Sequence, residues 1–380
     1  MRNKLLWVPL LVGMHVGVLV GTIHAQGPFA ARATSTQNLT HRIDLPNDSP
    51  VGLVSDEWTG TAATVRGGLF SIDVKLAVSL RNASAKRIRS VTLSVIAMDA
   101  APGGKGSISV PSLDAAPGET FSVRGDLHLV RPVSEGANPL VEVSLDGILF
   151  DDLTFYGADR LQSRRSMMVW ELEARRDRQY FKSVLAQNGK DGLEREFRES
   201  MVRESERPQF NVKVLRGRST NTESARDVQF AFLHTVGSPL ELMDGVARVA
   251  GNEAEAPKLI IHNRSGRPVN FFEVGWVVRD RQGREFLAAS LPIERRLPPR
   301  SSSQILESAS LRFEGTSVDS MTGFLSSVEY TDGTFWIPSR ADLANPPLRG
   351  TVTPSPEEQR LLQIYRKRGA VAVMEELKRF

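Results

Sequence analysis

Asp146, Asp151 and Asp152 fall close together in the segment LDGILFDD. Clustered carboxylates could ligate Ca²⁺, a cation that takes several oxygen donors. The simpler reading makes Asp146-Gly147 a hairpin turn and Asp151-Asp152 a loop after the strand, with no metal and no cofactor. Two tryptophans could instead serve as flat platforms for sugars. Trp58 lies in an early edge segment, and Trp336 has the opposite parity to Phe335 and Ile337, so one of its sides should face solvent. Trp276 shares parity with Phe272, Val274 and Val278 and reads as core.

Other chemistry finds little support. PGGKGS (Pro102 to Ser107) has a phosphate-loop look, but its lysine is followed by Gly106 and it sits between strands. His41, His128, His234 and His262 are scattered singly, and HExxH and GxSxG are absent. With no cysteine, thiol nucleophiles, disulfides and cysteine metal sites are excluded.

The amino terminus carries an address. Arg2 and Lys4 precede an apolar run from Leu5 to Val20, and TIHAQG follows with a cleavage-like place after Ala25. Residues 1–25 read as a signal peptide, with an uncleaved anchor as the alternative. The expected setting is secreted or periplasmic and bacterial, since a cysteine-free exported chain must rely on core size rather than disulfides. The formal charge of +4 falls by two when Arg2 and Lys4 leave, which is no footprint of a nucleic-acid binder.

The elements follow from periodicity. Residues 26–49 are rich in Thr, Ser, Asn and Pro and read as a flexible leader. Ile72, Val74, Leu76, Val78 and Leu80 then alternate with polar residues, and short strands recur to about residue 158. Such strands, with turn chemistry between them, predict an immunoglobulin-like β-sandwich over 50–158. Residues 159–207 lose the alternation, are rich in helix formers and are broken at Gly189, which predicts a helical hairpin. A second β region is expected over 208–350, with a hairpin at Asp332-Gly333. A second helical hairpin is expected over 351–380, with Ser355 and Glu358 as a capping box, Pro356 at the first helical place and a break at Gly369.

The two halves repeat one another. Asn82 and Ser84 match Asn263 and Ser265, AAPGETFSV loosely matches LPPRSSSQI, and Asp146-Gly147 is matched to Asp332-Gly333. Placing Gly189 on Gly369 pairs Phe181 with Leu361 and Phe197 with Leu377. The predicted fold is therefore mainly β with α: two immunoglobulin-like sandwiches, each followed by a helical hairpin, as an internal duplication. Asn-x-Ser between strands is a turn device, because the amide can bond the backbone two residues on. The sequons at Asn38, Asn47, Asn82 and Asn263 are read in that way.

LRNASAKRIRSVTLSVIAMD followed by APGETF, and IHNRSGRPVNFFEVGWVVRDRQG in the second half, resemble the bacterial secreted immunoglobulin-like domains of the FxLYD kind. The tetrad that names that family is missing from both halves. The resemblance covers about residues 70–130 and 255–310, and it implies a fold and an extracellular setting rather than an activity.

The helical segments carry apolar and aromatic residues among many charges; the simpler reading packs them against their own sandwich or each other, and the functional one makes Trp170 and Tyr365 candidate partner contacts. The expected role is a non-enzymatic binding or scaffold protein of the cell envelope. Its partner would be another envelope protein reached through the hairpins, or a glycan at Trp58 or Trp336. The alternatives are a carbohydrate-binding module and a hydrolase with a dispersed site. No nucleic acid is expected, and no membrane span once the signal peptide is removed. Amino-terminal sequencing of the exported chain should begin at Gln26; a chain that keeps Met1 would make the segment an anchor.

Overall fold

The computed structural model describes residues 36–37, 40–59, 62–66, 68–98, 104–132, 140–208, 210, 212–216, 224–306 and 309–380. The signal-peptide and sequon readings at 1–25 and Asn38, and Pro102 and Gly103 of PGGKGS, lie outside the described residues. The protein is mainly β with some helix, and it divides into two compact units that part between Glu171 and Leu172. Among the described residues no helix is long and apolar enough to cross a membrane.

The first unit holds strands β1 (Thr36–Gln37), β2 (Thr40–Asp44), β3 (Val51–Trp58), β4 (Ala62–Arg66), β5 (Leu69–Asn82), β6 (Ile88–Met98), β7 (Lys105–Val110), β8 (Thr120–Pro132), β9 (Leu140–Phe150) and β10 (Phe155–Tyr156). One sheet runs β1-β4-β5-β3 with β8 also on β5, and the other runs β10-β9-β6-β7 with β2 also on β9. In β5 the even residues Phe70 to Leu80 are buried while the odd ones face outward, as the alternation predicts. Val74 and Val78 meet Val91, Val95, Val141 and Val143 of the second sheet in one core. Each such side chain contributes roughly 1.5–3 kcal/mol on leaving water.

Two expectations are corrected here. Residues 26–49, read as a flexible leader, include β2, which pairs in parallel with β9 from Thr40 opposite Leu140 to Asp44 opposite Ser144. THRID carries too little apolar pattern to announce a strand. Asp146-Gly147 is not a hairpin but the interior of β9, with Gly147 opposite Thr92 beside a register shift. A Cβ at Gly147 would stand 2.4 Å from the Phe155 ring, so close packing rather than a turn requires glycine there. The turn comes later, where Leu153 takes φ 66° and its N–H bonds the Phe150 carbonyl at 3.0 Å.

The second unit holds strands β11 (Val212–Arg216), β12 (Ala225–Gln229), β13 (Ala231–Phe232), β14 (Leu240–Ala250), β15 (Glu253–Asn263), β16 (Val269–Asp280), β17 (Glu285–Leu297), β18 (Ser302–Leu306), β19 (Ala309–Phe313), β20 (Val318–Tyr330) and β21 (Phe335–Trp336). Its sheets run β11-β19-β15-β14-β12, with β18 on β15, and β13-β20-β16-β17, with β21 on β20. Trp276 is fully buried with Val274, Val278, Leu259 and Val328, as its parity predicts. The hairpin at Asp332-Gly333 is present, with Gly333 at φ 77° and its N–H on the Tyr330 carbonyl at 2.9 Å.

The helices among the described residues are α1 (Ser163–Glu206), α2 (Arg340–Leu343), α3 (Pro346–Thr351) and α4 (Pro356–Leu377). The first turns of α1, up to Glu171, belong to the first unit. α1 and α4 are each broken by a glycine, Gly189 at φ 64°, ψ −165° and Gly369 at φ 76°, ψ −179°, a region open essentially to glycine alone. The breaks fold the chain back on itself. Phe181 and Phe197 would lie roughly 24 Å apart along a continuous helix; their rings stack at 4.7 Å. α2 and α3 were not expected. They place Leu343 and Leu348 over Val277 and Phe324 on the outer face of the β16–β20 sheet.

The Asn-x-Ser turns carry the same bonds in each unit. Asn82 Nδ2 donates to the carbonyls of Lys86 (2.8 Å) and Ala115 (3.0 Å), while its Oδ1 accepts from the Ser84 N–H (3.0 Å) and hydroxyl (2.7 Å). Asn263 Nδ2 donates to Arg267 (2.9 Å), Leu297 (3.2 Å) and Pro298 (3.0 Å), and its Oδ1 accepts from Ser265 at 3.0 and 2.7 Å. Both asparagines are fully buried, so they tie three backbone segments together where water cannot. Asn263→Ala should lower unfolding stability by about 2–4 kcal/mol, because it strands buried carbonyls and removes a turn acceptor. Gly369→Ala should cost about 1–3 kcal/mol through backbone strain alone. Urea denaturation of each variant checks both.

Candidate functional site

Trp58, Trp336 and Tyr365 are each packed against their own unit. Trp58 stacks on His41 at 4.2 Å, its Nε1 donates to Asp56 at 2.6 Å, and its body packs on the first unit's core. Trp336 pairs across from Val328 and packs half-buried on the second unit's core. Tyr365 stacks on Phe197 at 5.3 Å, inside the packing of the helical segments. Trp170 is half-buried on α1. The apolar residues of the two hairpins meet one another: Phe181, Leu193, Phe197, Leu361, Leu362, Val373 and Leu377 share one core.

The acidic cluster disperses. Asp146 is buried and accepts from the Leu161 N–H at 3.3 Å. Asp152 holds its own turn through Thr154 N–H (3.0 Å) and pairs with Lys86 (2.7 Å), contacts that pull its carboxyl far below the usual range. Asp332 does the same with Thr334 (3.0 Å) and Arg267 (2.5 Å), and those bonds hold it near about 2. Among the described residues no group of three metal-ligating side chains converges.

A serine, a histidine and an aspartate do converge, which the sequence did not show. On the outer face of β5 and β8, Ser71 Oγ lies 3.3 Å from His128 Nε2, and His128 Nδ1 lies 2.7 Å from Asp73 Oδ1. That is the bond order of a hydrolytic triad. The setting differs in two ways. His128 and Asp73 are each 55% exposed, so water screens their coupling. β5 is laddered on both sides at this point, with Ser71 opposite Thr64 and Val130, so its own amides are committed and supply no oxyanion donor to the hydroxyl.

The main concentration of buried charge is in the second unit. Asp177 is fully buried, bonded by Arg176 Nε (2.9 Å) and by the Ser355 hydroxyl (2.5 Å), with Arg340 at 3.5 Å. Arg340 reaches on to Glu358 (2.5 Å), whose other oxygen accepts from Ser200 (2.7 Å). The Arg340 guanidinium also lies over the Tyr180 ring at 4.5 Å. Burial pushes Arg340 toward losing its proton, but Glu358 and Asp177 outweigh it and raise its pKa. Burial first, with Glu196 beside it, pushes Tyr180 up to about 12. A second knot joins Arg360 to Glu357 (2.8 Å) and Glu376 (2.6 Å). The capping box expected at Ser355 is half made: Ser355 accepts from Glu358 N–H at 3.1 Å, while the Glu358 carboxylate is taken by Arg340 and Ser200. A full box forms at Ser339 and Asp342 instead.

One open groove of about 580 Å³ lies in this unit. Arg195, Arg198, Glu199, Val202 and Arg203 of α1 form one wall, and Ala344, Pro346, Arg349 and Gly350 form the other. The α1 residues recur at the spacing of a single helix face, opposite Leu193, Phe197 and Ser200, which point inward.

No protein-family model matches the chain, and no curated protein matches it. Likenesses to solved structures are faint. A red sea bream transglutaminase is 10% identical with a TM-score of 0.15, over 76% of this chain and 31% of that one. The secreted serine protease VesC from Vibrio cholerae is 12% identical with a TM-score of 0.12, over 70% and 48%. A two-domain protein with unknown function from Bacteroides fragilis is 8% identical with a TM-score of 0.15, over 80% and 92%. The chain spans about a third of the transglutaminase and about half of the protease, and likenesses at this level carry no argument.

Three outcomes follow from this chemistry. With the β5 amides committed and the trio open to water, p-nitrophenyl acetate hydrolysis should be the same for the wild type and Ser71→Ala; a tenfold loss, about 1.4 kcal/mol, would make the trio catalytic. Asp177→Ala should destabilise the chain by about 2–3 kcal/mol in urea, since it takes a buried acceptor from Arg176 and from the Ser355 hydroxyl. Glu173, only 26% exposed, is raised by burial to about 7 against the pull of Arg176, with Asp177 and Glu273 adding to the rise. Its folded pKa lies above the ordinary 4.5, so the folded state binds the extra proton. Stability should therefore fall as pH rises between 4.5 and about 7, by at most about 1.4 kcal/mol per pH unit, and level off above. Glu173→Gln should flatten that slope in melts taken across the window.

Proposed function

We propose that this chain is a non-enzymatic, extracytoplasmic binding or scaffold protein of the cell envelope. In this reading it is built from two immunoglobulin-like sandwiches, each followed in sequence by a helical hairpin, as one duplicated unit. The duplication is supported by matched bonds rather than by matched letters. Asn82 and Asn263 make the same turn, Lys86–Asp152–Thr154 parallels Arg267–Asp332–Thr334, and Gly189 and Gly369 break their helices at nearly the same angles. The export reading rests on the charged and apolar segment of residues 1–25 and the cleavage-like place after Ala25.

The observation that carries the functional reading is how the second unit uses its charges. The buried carboxylates of its helices are spent on arginines and serines of the helical segments, while an arginine-rich face of α1 stays open to solvent as one wall of a groove. A rigid frame with an exposed, chemically distinct groove suits contact rather than turnover. The test is cross-linking and affinity capture of the mature chain, Gln26 to Phe380, from its own envelope fraction. A stoichiometric partner is expected. An eluate holding neither protein nor glycan would contradict the reading.

A further inference from the structure

We infer that the groove walled by Arg195, Arg198, Arg203 and Arg349 docks an extended segment of a partner protein rich in acidic and aliphatic side chains. The inference rests on the reading of this chain as a binding protein and names the chemistry of its partner. Charge complementarity comes first. Four guanidinium groups line the groove against a single carboxylate, Glu199. Glu199 is shared, at 3.1 Å from Arg349 and 3.7 Å from Arg203, while Arg203 and Arg198 are also braced from outside the lining, by Glu196 at 3.5 Å and Glu194 at 2.8 Å. A guanidinium has five N–H donors and a carboxylate engages two, so each braced arginine keeps donors for a second acceptor. The braces orient the forks without using them up.

Exposure favours exchange at this place. Arg198 is 64% exposed, Arg349 53% and Glu199 46%. Pairs this exposed are worth about 0–1 kcal/mol, so an incoming carboxylate displaces them at little cost. Contrast the Arg340 and Arg360 knots, whose acids are buried and already matched. The apolar part of the lining decides the kind of anion. Val202 is 52% exposed and sits among the arginines, with Ala344 and Pro346 facing it across the groove. A bare phosphate chain would leave that apolar surface wet, whereas an aliphatic side chain between two acidic ones covers it.

The experiment is selection of a random decapeptide library against the full chain, followed by titration of the winning peptide. Enrichment of Asp and Glu beside aliphatic residues is expected. Affinity should fall at least about tenfold in the Arg195→Glu/Arg349→Glu double variant and in Val202→Asp, with melting curves unchanged. Binding should weaken steeply with added salt. No enrichment, enrichment of basic peptides, or variants that bind as the wild type does would overturn the inference. Displacement of the peptide by inorganic polyphosphate or by anionic lipid vesicles as readily as by the acidic peptide itself would also overturn it, marking a general anion patch. Envelope capture can still yield a partner cross-linked elsewhere, so loss of the groove and loss of the binding-protein reading are separate results.

Discussion

A carboxylate moved out of water costs several kcal/mol unless a cation meets it in good geometry. In the unit from Leu172 to Phe380, Asp177, Glu357, Glu358 and Glu376 are all nearly or fully removed from water. Each is matched by an arginine on a different turn or a different helix, and the matches admit little play. Arg340 touches Asp177 of α1 and Glu358 of α4 with one guanidinium, and Arg360 spans Glu357 and Glu376 across the Gly369 break. The apolar core between the hairpins supplies the attraction, but non-directional burial would accept several registers. The ion pairs select one.

The open face of α1 is a consequence of that selection. Once Leu193, Phe197 and Ser200 are held inward by the shared core and by Glu358, the residues between them can only point out. Arg195, Arg198, Val202 and Arg203 are those residues. α2 and α3, seated on the β16–β20 sheet through Leu343 and Leu348, bring Ala344 to Gly350 to the opposite wall. The groove thus depends on the same contacts that close the core beneath it.

How much of this could be read from the letters depends on distance along the chain. The alternation in β5, the buried Trp276, the glycine breaks and the Asn-x-Ser turns are local patterns and were legible. Asp146-Gly147 is also a local signal, yet Phe155 packing over Gly147 makes it strand interior. THRID was too polar, and Arg340–Leu343 and Pro346–Thr351 too short, to show a period. The ion pairs were hidden for another reason. Ser355 meets Asp177 and Arg340 meets Glu358 only after folding, and before it such charges look like an ordinary solvated helix face. For Tyr365 and the hairpin stripes two readings stayed open, packing on their own chain or docking a partner, because sequence cannot say which of the two an apolar stripe meets. The Ser71–His128–Asp73 trio was invisible because register alone brings β5 and β8 together.

The central claim is that specific buried charge pairing, beyond apolar burial, holds the hairpins of the second unit in place. A double-mutant cycle between Arg340→Met and Glu358→Gln in the full chain, read by urea unfolding, tests it most directly. The account predicts a coupling above about 1 kcal/mol, as for residues sharing one network. A coupling within about 0.3 kcal/mol of zero would contradict it, leaving apolar packing as the sole arbiter of the arrangement.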